Sequence, residues 1–192
     1  DVAGGLCRFF EARRDTCPWC GGAALRVLMR TRDNVQGKPG RFTMEECGGC
    51  GHVFQNPRLS PAGMEYYYRD FYDGRGADTI RRIFALTSRV HRDRARMVGA
   101  AGVWPRRWLD VGAGYGHFCE RARGIFPGTV FDGLDSSAGV LEAQRSGWIE
   151  RAYQGQFLDL ADGLAGRYDA VSMLHYLEHT REPLDEIAAA RR

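Results

Sequence analysis

Residues Trp108–Phe118 read WLDVGAGYGHF: a short apolar run, a glycine-rich turn and the opening of a helix. The turn brings Gly112, Gly114 and Gly116 to a strand end, where missing side chains let the backbone lie against a ligand. A second strand-like run follows at Thr129–Asp135 (TVFDGLD), and its terminal acid comes 19 residues after Gly116. An acid at that position is placed to accept hydrogen bonds from both hydroxyls of a ribose. Glycine turns alone mark many loops. Strand, turn, helix, second strand and terminal acid in this order define a pocket for an adenosine-containing cofactor.

The spacing narrows the cofactor. Dinucleotide folds carry GxGxxG, whose third glycine lets the helix pack with its N-terminus facing a pyrophosphate. Here the run is GxGxG, preceded by Asp110 and followed by His117 and Phe118. It resembles motif I of class I S-adenosylmethionine-dependent methyltransferases. The resemblance spans residues 100–192 and, with a looser N-terminal pattern, residues 15–192. It implies that the Gly112–Gly116 backbone lies along the methionyl part of S-adenosylmethionine, with Asp110 near its amino group. Asp135 then holds the ribose and Ser136 lies beside the adenine. NAD is the alternative cofactor.

Beyond the glycine turn, strand and helix patterns alternate, which predicts an α/β fold: a Rossmann-like parallel sheet with helices on both faces. Helices are expected around Phe118–Arg123 and Ala138–Ser146, and strands around Ile149–Gly155 and Tyr168–Leu174. In the family the residue after a glycine ending the third strand often holds the adenine amino group. The resemblance puts Gln156 there, with Phe157 to stack on the adenine and Asp159 as a fallback acid.

The segment Tyr168–Pro183 (YDAVSMLHYLEHTREP) resembles the family's fourth strand and following loop, including its Glu-His pair at Glu178 and His179. The resemblance puts His175 where the strand opens toward the methyl group, as substrate contact or catalytic base, and leaves His179 to orient the loop. His175, Glu178 and His179 also spell HxxEH, an inverted zinc-protease signature. That motif needs both histidines on one long helix, whereas this segment begins as a buried strand and soon meets Pro183. Pro183–Arg192 reads as the start of the next helix. Complete class I domains continue through three further strands, so the expectation is an incomplete domain holding the first four strands.

Four of the six cysteines form two CxxC pairs, Cys17-Pro-Trp-Cys20 and Cys47-Gly-Gly-Cys50, separated by 26 residues. This is zinc-ribbon spacing. Each pair makes a knuckle whose thiolates point at one tetrahedral ion, and Gly21 and Gly51 let the backbone fold back toward the sulfurs. Disulfides are the alternative, disfavoured by a nucleotide-binding domain that implies a reducing cytosol. Cys7 and Cys119 read as ordinary small residues, and His52 as a spare ligand. Ala24–Met29 and Arg41–Glu45 are expected strands joined by the turn-rich Asp33–Gly40, a ribbon too small to fold well without metal. Val53–Pro61 reads as its exit, with prolines preventing a helix before Ala62.

The chain thus divides into a zinc ribbon (1–60), a helical aromatic linker (61–100) and a methyltransferase domain (101–192). In the linker, Tyr66, Tyr67, Tyr68, Phe71 and Tyr72 are expected to pack on the domain or to close one ring over the cofactor. Ile80–Val98 has helical apolar periodicity, with Arg81, Arg82, Arg89, Arg92 and Arg96 as a solvated face or a phosphate-receiving one.

No run approaches the roughly 20 apolar residues of a membrane span, and no signal peptide is visible. A cytoplasmic protein without a membrane partner is expected. A net charge of +3 argues against nucleic acid as the partner, and all but one of the 27 basic residues are arginine, a compositional bias that says nothing about partners. The reading that follows is methyl transfer to a small molecule, such as a sugar or natural-product intermediate. The rivals are an RNA base methyltransferase docked by its zinc module, a non-catalytic cofactor-binding protein and a nicotinamide oxidoreductase.

Overall fold

The computed structural model describes residues 5–34, 36–72 and 88–192. Two compact units emerge, Asp1–Ile80 and Arg81–Arg192. Arg81 and Arg82, and the side chains of Phe71 and Tyr72, lie outside the described residues. Among the described residues no helix is long and apolar enough to cross a membrane.

The first unit is built on an antiparallel sheet in the order β1-β2-β3: β1 (Leu25–Thr31), β2 (Phe42–Cys47) and β3 (Val53–Gln55). The sequence reads β3 as an exit segment, but the pairing of Glu45 with Phe54 and Glu46 with Val53 makes it a short strand. Helix α1 (Pro61–Tyr72) starts on its proline, a residue whose fixed φ and missing N–H suit the first helical position. It lies tightly against the segment before the first knuckle. A methyl group built on Gly63 would fall 2.1 Å from the Phe9 carbonyl oxygen.

Two of the linker tyrosines, Tyr66 and Tyr67, find partners in this unit. Tyr66 stacks on Phe9 with ring centroids 4.5 Å apart, and Tyr67 meets Phe42 edge-on at 5.2 Å. The Tyr67 hydroxyl donates to the Pro39 carbonyl. These rings therefore form an N-terminal aromatic core. A buried polar knot closes the sheet: Asn56 exchanges hydrogen bonds with the Arg14 backbone at 2.8 Å and donates to Glu45, which Arg13 grips with two nitrogens at 3.0 and 3.1 Å. Buried carboxylates persist when paired this way.

The second unit contains a parallel sheet in the order β6-β5-β4-β7: β4 (Arg107–Val111), β5 (Val130–Asp135), β6 (Ala152–Gln154) and β7 (Ala170–Met173). Trp108 pairs with Phe131 on one side and Ala170 on the other. The third strand is shorter than expected, Ile149 being spent as a core residue.

Because successive strand residues point to opposite faces, β4 feeds two cores. Trp108 and Phe131 pack beneath α2 (Ser88–Ala100), α3 (His117–Ala122) and α4 (Gly139–Arg145), through Ala95, Phe118, Ala122, Val140 and Ala143. Leu109, Val111 and Leu134 pack on the other face against Phe157 of α5 (Phe157–Leu160) and Ala189 of α6 (Pro183–Ala190). This is the expected Rossmann-like arrangement. Trp108 is its keystone, with the rings of Phe118, Phe126 and Phe131 each 5.5 Å away; truncating a core aromatic to alanine costs about 3–5 kcal/mol.

Polar ties fix the register. Asp169 accepts the N–H groups of Arg106 and Arg107 at 2.8 and 2.9 Å, joining the start of β7 to that of β4. Asp132, fully buried, accepts from Arg107, from the Tyr168 hydroxyl and from the Arg151 N–H at 2.7–3.0 Å.

Candidate functional site

β4 is central, and the chain leaves it toward β5 on one side and reaches β7 on the other. In open α/β sheets the crevice for a ligand opens at such a switch point, outside the carboxyl ends of the strands. The glycine turn, the end of β5 and the loop after β7 all lie at those ends.

The three glycines of the turn all have positive φ, at +76°, +52° and +77°, but they answer to different neighbours. A methyl group on Gly112 would meet the Tyr176 ring at 2.7 Å, and one on Gly116 would meet Ala143 at 2.7 Å. Gly114 has nothing within 4 Å of that position. Only the middle glycine therefore leaves room for a ligand, whereas the outer two make way for the β7 loop and for α4.

The Gly114 N–H donates to Asp135 Oδ2 at 2.8 Å. The other carboxylate oxygen accepts the Ser137 N–H at 2.8 Å and its hydroxyl at 2.7 Å. A carboxylate offers about four acceptor sites, so Asp135 is oriented from both sides and keeps about one site, on Oδ2, for a hydroxyl, rather than the two that a pair of ribose hydroxyls would use. Ser136 is exposed beside it.

Asp110 lies below the turn, 3% exposed. Its Oδ1 accepts the Ser172 hydroxyl at 2.5 Å, Ser172 in turn accepts the Trp108 indole N–H at 2.9 Å, and the Cys119 thiol lies 3.8 Å from Oδ2. Burial pushes the Asp110 carboxyl up to about 7 against the pull of Ser172 and Cys119, and the Asp135 charge adds to the rise.

Past β7, His175 turns the chain with φ 54°. Its Nδ1 is 3.1 Å from Glu178 Oε1 and its Nε2 is 2.8 Å from Nη2 of Arg94 on α2. Burial works against the Glu178 charge, yet its own backbone N–H and the His175 ring hold the carboxyl below its usual value. His175 and His179 share no helix, since only the single 3-10 turn Leu177–His179 follows; the inverted-protease geometry is absent. Next along, Tyr176 packs on Gly112 and donates to the buried Glu186 of α6.

Gln156 is exposed and caps α5 with extended backbone, and Asp159 is exposed. Phe157, expected to stack on a base, is only 2% exposed and packs with Leu109, Val111 and Leu134. Gly155 turns the chain so that the first residue of α5 points into the apolar core, which explains the difference.

In the first unit, the sulfurs of Cys17, Cys20, Cys47 and Cys50 converge within 4.8 Å of one another; among the described residues no other group of three or more His, Cys, Asp or Glu does so. Cys17 and Cys50 are 3.8 Å apart, and Cys20 and Cys47 3.6 Å. Tetrahedral Zn–S bonds of about 2.3 Å put sulfurs about 3.8 Å apart. Backbone N–H groups of Cys50 and Gly49 lower the Cys47 thiol to about 7. Cys7 and Cys119 stand apart from the group, and His52 stacks between Trp19 and Phe54 instead of offering a ligand.

Sequence reasoning missed Ser137, Ser172, Tyr176 and Arg94. Ser137, two residues beyond an acid at a helix entry, carried a legible signal, because Asp side chains commonly bond the backbone two residues on. The other three depend on contacts between elements far apart in sequence.

Residues 68–192 match the sequence profile of the family described as "Methyltransferase domain", and the chain belongs to that family. None of the curated proteins compared matches it. Similar solved structures include an O-methyltransferase family protein from Burkholderia thailandensis, with 21% identity over 65% of this chain and 40% of that one, TM-score 0.49. A second is described as a putative O-methyltransferase from Nostoc punctiforme, with 18% identity, 54% and 34% coverage and TM-score 0.43. A third is the plantazolicin methyltransferase BamL, in complex with a triazolic desmethylPZN analog and SAH, with 17% identity, 68% and 47% coverage and TM-score 0.44. The chain thus spans less than half the length of each of these structures.

Proposed function

We propose that this protein transfers a methyl group from S-adenosylmethionine to a small molecule, a sugar or natural-product intermediate being the acceptor class. The observation that carries the reading is the cradle at Gly114: an open backbone position at a strand end, tied by its own N–H to an acid suited to a ribose. Membership of the methyltransferase-domain family supports it.

In this reading the Gly112–Gly116 backbone holds the methionyl part, Asp110 lies near the amino group, Asp135 holds the ribose, and Ser136 and Gln156 face the adenine. When bound, the cofactor supplies an electrophilic methyl group on a sulfonium, so the hard chemistry is its own. The chain's residues align the acceptor, and His175 Nε2 takes the acceptor's proton where the nucleophile must lose one. Glu178 steadies the resulting imidazolium. Zinc is held by Cys17, Cys20, Cys47 and Cys50 in residues 1–60, where it clips the ribbon.

Calorimetry with S-adenosylhomocysteine and with NAD tests the reading. S-adenosylhomocysteine is expected to bind and NAD not to. NAD binding without S-adenosylhomocysteine binding would overturn it in favour of an oxidoreductase.

A further inference from the structure

The two ring nitrogens of His175 face opposite kinds of group. A guanidinium can only donate, so Nε2, 2.8 Å from Arg94, is the accepting nitrogen, and Nδ1 carries the proton given to Glu178 at 3.1 Å. The network thereby assigns the tautomer. Nε2 is the basic atom, and Arg94 occupies it by a hydrogen bond on a His175 side chain that is 70% exposed.

Arg94 is half-buried. Among the described residues it makes no ion pair, and the imidazole is the one acceptor given to its five donors. One turn earlier on α2, burial lowers His91 to about 4, and Arg94 is the leading charge that adds to the effect. α2 thus turns a guanidinium onto the imidazole in the loop after β7.

We infer that Arg94 binds an anionic group on the methyl acceptor, a carboxylate or phosphate, and that this contact draws it off His175 and frees Nε2. The inference rests on the reading of His175 as base. A forked bond from guanidinium to an oxyanion is charge-assisted and stronger than a bond to neutral imidazole, so an anionic acceptor wins the exchange. The acceptor's nucleophile then gives its proton to Nε2, and Glu178 faces the imidazolium formed. A neutral acceptor leaves Nε2 covered. Arg94 therefore selects acceptors by charge and is a specificity residue, whereas Glu178 is a positioning residue.

Imidazole ¹⁵N spectra of the whole chain test this with inorganic phosphate as the probe, chloride holding the ionic strength constant. The His175 signal, assigned by its loss in His175→Gln, should shift saturably with phosphate in the wild type. In Arg94→Gln the Nε2 signal should begin at the uncovered position and stay there. Arg94→Met, of similar length and helix propensity, serves if that variant fails to fold. No saturable shift, or the same shift in both variants, overturns the proposal.

The cofactor's own carboxylate is the other source of such an anion, and 5′-methylthioadenosine, which lacks it, separates the two. Either Arg94 variant should bind it and S-adenosylhomocysteine within about twofold of wild type; a selective loss of about tenfold for S-adenosylhomocysteine assigns Arg94 to the cofactor and overturns the acceptor assignment. Failure of the wild type to bind S-adenosylhomocysteine would remove the methyltransferase reading, while the phosphate titration would still decide whether an anion displaces Arg94.

Discussion

Ser137 bonds one oxygen of Asp135 twice, through its backbone N–H at 2.8 Å and its hydroxyl at 2.7 Å, while Gly114 holds the other oxygen. In the proposed reading a ribose would join an acid that is already aligned, so little ordering would remain to be done on binding. Asp135→Ala should weaken S-adenosylhomocysteine by about 1.5–3 kcal/mol for each charged hydrogen bond lost, with the circular dichroism of the fold retained. Unchanged affinity in calorimetry would remove Asp135 from the ribose site.

The outer and middle glycines should respond differently to a methyl group. Gly112→Ala meets the Tyr176 ring as well as a left-handed backbone penalty of about 1–2 kcal/mol. Gly114→Ala meets only the penalty. Thermal unfolding should therefore drop further for Gly112→Ala, and equal drops would mean that Tyr176 does not set the constraint.

Asp110 gives a pH signature. Burial raises its folded carboxyl to about 7 from a reference value of 3.8, so the folded state holds the proton more tightly than the unfolded chain. The associated stability is full below about pH 4 and is lost as pH rises through about 7. Asp110→Asn, which cannot titrate, should gain on the wild type between pH 5 and pH 8 in urea unfolding without ligand. Parallel pH profiles for the two proteins would mean that Asp110 stays ionised.

If His175 is the base, His175→Ala should lower turnover by about 10²–10⁴-fold while S-adenosylhomocysteine affinity stays near wild type. A pH–rate profile of the wild type should show a limb that the variant lacks. Near-normal turnover in His175→Gln would reduce the residue to a shape-filling role.

One zinc ion per chain is expected on the four cysteines. Cys47→Ser should lower metal content and destabilise the first unit, because a metal on the four cysteines would supply folding energy to so small a ribbon. Cys7→Ser should change neither quantity. Elemental analysis finding no metal in freshly purified, unchelated protein would exclude the site.

Local pattern carried most of the fold. The run around Leu109, the glycine turn and the acid ending TVFDGLD are short-range signals, and β4, α3 and β5 lie within a few residues of their expected places. The paired cysteines were equally legible, because knuckle spacing is a local geometry. What depended on distant contacts was not. Phe157 looked like a stacking ring until Leu109 and Val111 enclosed it, and the linker tyrosines gave no sign that Phe9 and Phe42 would receive them. Arg94 lay among many arginines on one helix, and only the approach of the β7 loop singles it out.

Of the four tryptophans, Trp108 is 2% exposed, whereas Trp19 and Trp104 are at least half-exposed. Its indole N–H reaches the Asp110 carboxylate through one hydroxyl, that of Ser172. The excited indole dipole thus sits next to the group whose charge should change if, as proposed, the cofactor's amino group binds beside it. Emission from this ring should report occupancy of the proposed site without label or acceptor once Trp19, Trp104 and Trp148 are replaced.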